Sequence, residues 1–211
     1  MKQFQKNINS DEISKAIEHF ERDIEFEFIP VIAEKSSYVE HIQWICSLFF
    51  LLLFVGTIDY FFQDSYASKI PYYVAAPILG ILLGTLLDKS DWVDRFFISK
   101  KERNRQVHEK AERIFFKKKL HESKSHNALL LYISVMERKI VLLPDPRSNI
   151  ENIKQMNEKL LSILQNSFKK DEYHQGLLQA IEFLRSELIH KHKKTSDTPN
   201  QFSNKLIWWH D

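Results

Sequence analysis

The sequence predicts an α/β fold in which a small mixed sheet flanked by helices is interrupted by a two-helix transmembrane hairpin. Three observations lead to this prediction. Two long apolar segments follow one another closely in the first half of the chain. A helix and a strand precede them, and a strand pair with several helices follows them. The formal net charge is only +2 with 27% charged residues, so the composition gives no indication of nucleic-acid binding.

The apolar segments run from about Ile42 to Phe62 and from about Ile70 to Leu87. A helix rises about 1.5 Å per residue, so about 20 residues cross a hydrocarbon core of about 30 Å. Both segments meet that length. Gly80 and Gly84 are four residues apart on one helix face, which favours close packing of the two helices within the hairpin. The lipid bilayer is therefore the first predicted partner.

Basic residues near the ends of the hairpin predict its orientation. The connecting segment offers only Lys69, whereas Arg22 and Lys35 precede the first helix. The residues that follow the second helix add Lys89, Arg95, Lys100, Lys101, Arg103 and Arg105. The positive-inside rule therefore places both termini and the soluble domain in the cytoplasm.

Before the hairpin, residues 10–37 are predicted to form a helix and a strand of the soluble domain. The helix begins at Ser10, and its apolar residues recur at helical spacing. The strand alternates, with Glu25 and Glu27 on the face opposite to Phe26, which is the periodicity of a β-strand. A helix and a strand cannot form a domain alone, so they need a partner sheet.

After the hairpin region, residues 38–89, the remainder of the same domain is predicted over residues 100–190. Two short apolar runs, separated by three residues, predict an antiparallel strand pair whose first member is covered on both faces. These strands are Ala128–Val135 and Lys139–Pro144, and the helices are a segment beginning near Lys100, Asn149–Phe168 and about His174–His190. Residues 191–211 have little to bury and are predicted to be a mobile tail.

Few residues have a spacing typical of catalytic or metal sites. Glu137 and Arg138 occupy the turn between the two strands, where they bind a partner or ligand or are simply solvated. Asp145, between two prolines, is a candidate ligand for a divalent cation and a third member of this possible interaction surface. The nine histidines lack zinc-peptidase spacing, and neither a phosphate loop nor a nucleophile elbow is visible. No catalytic or cofactor-binding residue is identified, which argues against an enzyme.

Several short motifs follow one another in a characteristic order. Ile13, Ala16 and Ile17 lie in the first helix, and Ser36 and Tyr38 precede the hairpin. The later positions are ALLLYIS from Ala128, Glu137 with Arg138, Asp145, and Gly176, Leu177, Ala180 and Ile181. In this order the chain resembles the TPM domain family, in particular its bacterial membrane-anchored members. It departs from the family at Ala128, in HESKSHN before it, in DPRSNI and at Asn157.

The resemblance implies a cellular setting and a choice of functions. It favours a two-pass protein of the bacterial inner membrane that binds another membrane protein or assists its assembly. In the family, loops at this end of the sheet are associated with divalent metal binding and, in some members, weak phosphatase activity. One alternative is therefore a metal-dependent, membrane-bound phosphatase or other hydrolase that uses Asp145. A second alternative is a protein that acts at an anionic lipid surface or in a stress response.

Overall fold

The computed structural model describes most of the chain, namely residues 5, 7–36, 40–61, 66–88, 99–123, 126–194 and 201–209. The chain divides into an α/β unit, Met1–Ser36 with Asn104–Asp211, and a hairpin unit, Ser37–Arg103. Several residues used in the sequence predictions lie outside the described residues: Tyr38, Phe62, Lys89 and Arg95.

The helices and strands are numbered here in chain order. They are α1 (Ser10–Asp23), β1 (Glu27–Ala33), α2 (Glu40–Phe61), α3 (Tyr66–Asp88), α4 (Lys100–Lys117), β2 (Ala128–Ser134), β3 (Lys139–Pro144), α5 (Ile153–Phe168), α6 (Tyr173–Leu188) and β4 (Ile207–Trp209). A short 3₁₀ helix, Leu120–Glu122, follows α4. The predicted helix start at Ser10 is confirmed, and Asn9 caps it by accepting a hydrogen bond from the Asp11 N–H.

The strands form one mixed sheet in the order β3-β2-β1-β4. β1 is parallel to both β2 and β4, while β2 and β3 are antiparallel. The predicted antiparallel strand pair and the small mixed sheet flanked by helices are therefore confirmed. β1 and β2 are paired along their whole length, with Glu27 opposite Ala128 and Ala33 opposite Ser134. The carboxyl ends of both strands consequently lie at the same end of the sheet.

Two apolar layers cover the two faces of the sheet, because successive strand side chains point to opposite faces. Phe28 of β1 and Leu131 of β2 face the layer that includes α1, α5 and α6. Val31 and Tyr132 face the opposite layer, which α4 covers with Val107, Ala111, Ile114 and Phe115. The burial of every β2 residue agrees with the predicted central strand.

One charged residue of this unit is buried, and one prediction is wrong. Only 6% of Glu27 is exposed, and its carboxyl group accepts hydrogen bonds from the Gln201 and Phe202 N–H groups. The tail was expected to be mobile, but Ile207–Trp209 forms β4 against β1. A short apolar run gains enough by pairing and burial to be ordered at the sheet edge.

The hairpin unit contains α2 and α3. Their apolar spans are Gln43–Phe61 and Lys69–Leu87, with mean hydropathies of 1.9 and 1.8, and both are long and apolar enough to cross a membrane. Only 11% and 17% of the spans are buried, so these helices differ from the core helices of a soluble protein. Large exposed side chains include Trp44, Phe49, Leu52, Ile78 and Leu82.

Small residues bring α2 and α3 together. A Cβ atom added at Gly84 would lie 2.0 Å from Ser47 Oγ and 2.9 Å from the Ser47 backbone nitrogen. At Gly80 the corresponding distances are 3.1 Å to the Ser47 carbonyl oxygen and 3.2 Å to the Leu51 nitrogen. The predicted use of this glycine face for packing within the hairpin is therefore confirmed. Near the other end, Lys69 Nζ lies 3.1 Å from Asp59 Oδ1 and joins the two helices by an ion pair.

Candidate functional site

A buried polar cluster lies at the end of the sheet where the carboxyl ends of β1 and β2 meet. Its four members, which we call the Ser36 cluster, are Ser36, Tyr132, Ser134 and Glu137. Ser36 follows β1 by three residues and is the last described residue before the hairpin unit. Tyr132 and Ser134 lie on the same face of β2, and Glu137 lies in the turn after it. At most 7% of each residue is exposed.

The hydrogen bonds of the Ser36 cluster have a forced order. The Ser134 hydroxyl donates to Glu137 Oε2. Each hydroxyl has one proton, so the Ser36 hydroxyl must donate to Ser134, at 2.6 Å, and Tyr132 must donate to Ser36, at 2.7 Å. The Ser36 backbone N–H also donates to Glu137 Oε1, at 2.9 Å. Both carboxyl oxygens of Glu137 thus accept hydrogen bonds from this cluster.

The burial of the cluster limits its chemistry. A hydroxyl beside a carboxyl group is the arrangement of an activated nucleophile, but a nucleophile must contact its substrate. Ser134 and Tyr132 have no exposed surface. A substrate could reach them only if the carboxyl ends of β1 and β2 moved away from the turn that follows β2. The geometry instead fixes Ser36, where the chain leaves the sheet toward the hairpin, to the turn between β2 and β3.

The structure separates the members of the predicted interaction surface. Glu137 was considered as a partner contact or a solvated turn residue, but only 3% of it is exposed, because two donors of the Ser36 cluster need its oxygens. Arg138 is exposed, with a positive φ of 53°. Asp145 lies beyond the far end of β3, so a six-residue strand, roughly 20 Å long, separates it from this turn.

Asp145 is buried and engaged by one arginine. No part of it is exposed, and its two carboxyl oxygens accept Arg147 Nε at 3.0 Å and Nη2 at 2.9 Å. The Arg147 backbone N–H donates to the same carboxyl group, while the Asp145 N–H donates to the Ala128 carbonyl. A cation at Asp145 would have to displace this guanidinium. Among the described residues, no group of three or more His, Cys, Asp or Glu side chains converges on a metal position.

The ion pair makes the stability of the α/β unit depend on pH. Hydrogen bonds from Arg147 lower the pKa of Asp145 below its ordinary value of 3.8. A carboxyl group with a lowered folded-state pKa contributes stability above its unfolded-state pKa and loses it as the pH falls through the folded-state value.

We therefore expect Asp145→Asn to lower the free energy of unfolding by about 1–2 kcal/mol at pH 7. The difference between variant and wild type should shrink below pH 3.8. Denaturant unfolding of both proteins from pH 2 to pH 7 measures it, with Glu158→Gln, on the exposed face of α5, as the control. A difference that stays constant across this range would show that the ion pair does not carry the effect.

Sequence reasoning missed most of the Ser36 cluster. Ser36 enters the sequence analysis only through the family resemblance, and ALLLYIS enters it as a buried strand and a family motif, without a role for its polar side chains. Another sequence pattern indicates such a cluster, because polar side chains at the carboxyl ends of two adjacent apolar strands meet at one end of the sheet. Tyr132 and Ser134, two residues apart near the end of β2, have that pattern.

One solved structure is similar to this chain along nearly its whole length. It is the NMR structure of the BA42 protein from the psychrophilic bacterium Bizionia argentinensis, with a TM-score of 0.55 and 16% sequence identity. The match covers 95% of this chain and 92% of BA42. The likeness establishes the fold. No family model and no curated protein matches the chain.

Proposed function

We propose that this chain is a membrane-anchored, TPM-like module that binds another membrane protein or assists its assembly. One observation carries the anchoring part of the proposal. Two apolar spans with little burial are inserted between β1 and β2, which are adjacent strands of one sheet. An anchor that enters and leaves the membrane on one side permits strands before and after it to pair, since both flanks remain on that side.

The closure of two polar groups among the described residues supports a binding role over catalysis. The Ser36 cluster is closed by its own hydrogen bonds, and Asp145 is closed by Arg147. A catalytic carboxylate needs access to its substrate or metal. The rival hydrolase would use Asp145, so magnesium-dependent hydrolysis of a phosphomonoester that is lost in Asp145→Asn would favour the rival.

The orientation is part of the proposal. The basic residues after α3 favour both termini and the α/β unit in the cytoplasm. The resemblance to the TPM domain family adds the bacterial inner membrane. A reporter enzyme that is active only in the cytoplasm, fused after Asp211, should be active. Activity of a periplasm-specific reporter at the same position would reverse the orientation.

Crosslinking in native membranes tests the binding role. A photo-crosslinking residue is placed at Ile78, which is 66% exposed in α3, and in a second variant at the exposed Arg138. Cys46, buried in the hairpin, provides the control position. We expect at least one exposed position to give a reproducible adduct with one membrane protein that the control position does not give. Lipid adducts alone, at every position, would contradict a protein partner.

A further inference from the structure

The outer edge of β1, the side away from β2, has unusual backbone chemistry. The Glu27 N–H donates to the Asn127 carbonyl and the Ala33 carbonyl accepts from Val135, so odd-numbered residues of β1 direct their backbone groups toward β2. Even-numbered residues therefore direct theirs to the outer edge. These residues are Phe28, Pro30 and Ile32.

Two of these three positions offer no free N–H to a partner strand. The Phe28 N–H donates to the buried Glu21 carboxyl group at 2.9 Å. Pro30 has no N–H, and proline within a sheet is typical of an edge. Within β1, which the structure describes throughout, Ile32 alone presents an N–H to an added strand. The pairing of β4 is centred there, with Ile32 opposite Trp208.

The tail reaches this edge after two earlier attachments. Lys193 pairs with Ile24, and the Lys194 N–H donates to the Asp23 carbonyl at 3.0 Å. Farther along, the Gln201 and Phe202 N–H groups donate to Glu27 Oε2, at 3.2 Å and 3.1 Å. The tail is therefore held near Ile24 and again at Glu27 before it reaches β4.

The side chains of β4 define what the edge accepts. Ile207 and Trp209 pack against the layer on the α4 side, where Lys117 Nζ lies 4.9 Å from the centre of the Trp209 ring. Trp208 packs against the opposite layer. All three remain partly exposed. An extended segment with apolar residues at i and i+2 and an aromatic residue between them matches this pattern.

We propose that the outer edge of β1 at Ile32 is a binding site for an extended segment of a protein partner, and that β4 occupies it in the unbound protein. The proposal rests on the proposed binding role and names the surface that performs it. Strand addition of this kind uses backbone hydrogen bonds for affinity and alternating side-chain sites for specificity. A three-residue strand with partly exposed side chains is an occupant that a partner can replace.

A peptide-binding measurement tests the site. The full chain in detergent is compared with a variant lacking residues 201–211, using as probe a fluorescently labelled peptide of residues 201–211. We expect the shortened chain to bind the peptide saturably and the full chain to bind it at least about tenfold more weakly, since the tethered tail competes at an effective concentration on the order of mM. A peptide methylated at the backbone nitrogen of Trp209 should lose binding, because a strand ladder needs that backbone N–H.

Binding by neither protein, equal binding by both, or full binding of the methylated peptide would each overturn the proposal. If the shortened chain does not fold, hydrogen exchange of the full chain decides. The amides of Ile207 and Trp209, which point toward β1, should exchange far faster than those of β2, and exchange at the same rate would overturn the proposal. A membrane partner crosslinked by a chain whose edge binds no peptide would leave the proposed function intact and reject only this surface.

Discussion

Replacing Glu137 by alanine is expected to lower the free energy of unfolding of the α/β unit by about 3 kcal/mol. The change leaves the Ser36 N–H and the Ser134 hydroxyl buried without their acceptor. An unsatisfied buried donor costs about 1–3 kcal/mol, and two are created together. Denaturant unfolding of the full chain in detergent, followed by far-ultraviolet circular dichroism, measures the loss.

Two further variants calibrate this effect. Arg138→Ala changes an exposed neighbour in the same turn and should stay within about 0.5 kcal/mol of wild type. Tyr132→Phe removes only the first donor of the chain of hydroxyls and should cost about 1 kcal/mol. Equal stability of Glu137→Ala and Arg138→Ala would show that the Ser36 cluster does not stabilise the carboxyl ends of β1 and β2.

Replacing Gly84 by leucine is expected to separate the two helices of the hairpin. Its side chain would collide with Ser47, and the contact includes backbone atoms that cannot turn aside. Overpacking of this kind costs about 1–3 kcal/mol or more. The single cysteine, Cys46, is buried in α2, so a thiol-reactive dye that fluoresces on labelling reports when the hairpin opens.

Gly56 provides the matched control for this hairpin variant. A Cβ atom at Gly56 meets nothing within 4 Å, so Gly56→Leu should label Cys46 at the same temperature as wild type. Gly84→Leu should label at a clearly lower temperature. Identical labelling temperatures for the two variants would mean that the glycine face does not hold the helices together.

The spacing of apolar residues predicts most of the helices and strands, because burial of one or both faces determines that spacing. The apolar residues of α1, α5 and α6 recur at the spacing that places them against one sheet face, and β2 is apolar throughout because both of its faces are covered. The length of α2 and α3 follows from their long, predominantly apolar runs. Predicted boundaries differ by up to four residues, as at α5, which begins at Ile153 rather than Asn149.

The polar residues were harder to place because their burial depends on distant partners. Glu27 and Glu137 have the local pattern of solvated residues, yet donors far along the chain bury them: the N–H groups of Gln201 and Phe202 for Glu27, and Ser36 for Glu137. The pairing of β4 with β1 likewise joins residues at opposite ends of the chain. Pro30 was an unused signal, since a proline inside a strand indicates a sheet edge.

Membrane partitioning tests the central claim, that an apolar hairpin inserted into one α/β unit anchors the chain in a bilayer. Alkaline carbonate extraction is applied to lysates of cells that produce one of two proteins. One is the full chain, and the other is a variant with residues 37–99 replaced by a flexible Gly-Ser linker. We expect the full chain to remain in the membrane pellet. The variant should be recovered in the soluble fraction with a cooperative unfolding transition. Release of the full chain by carbonate would contradict the account.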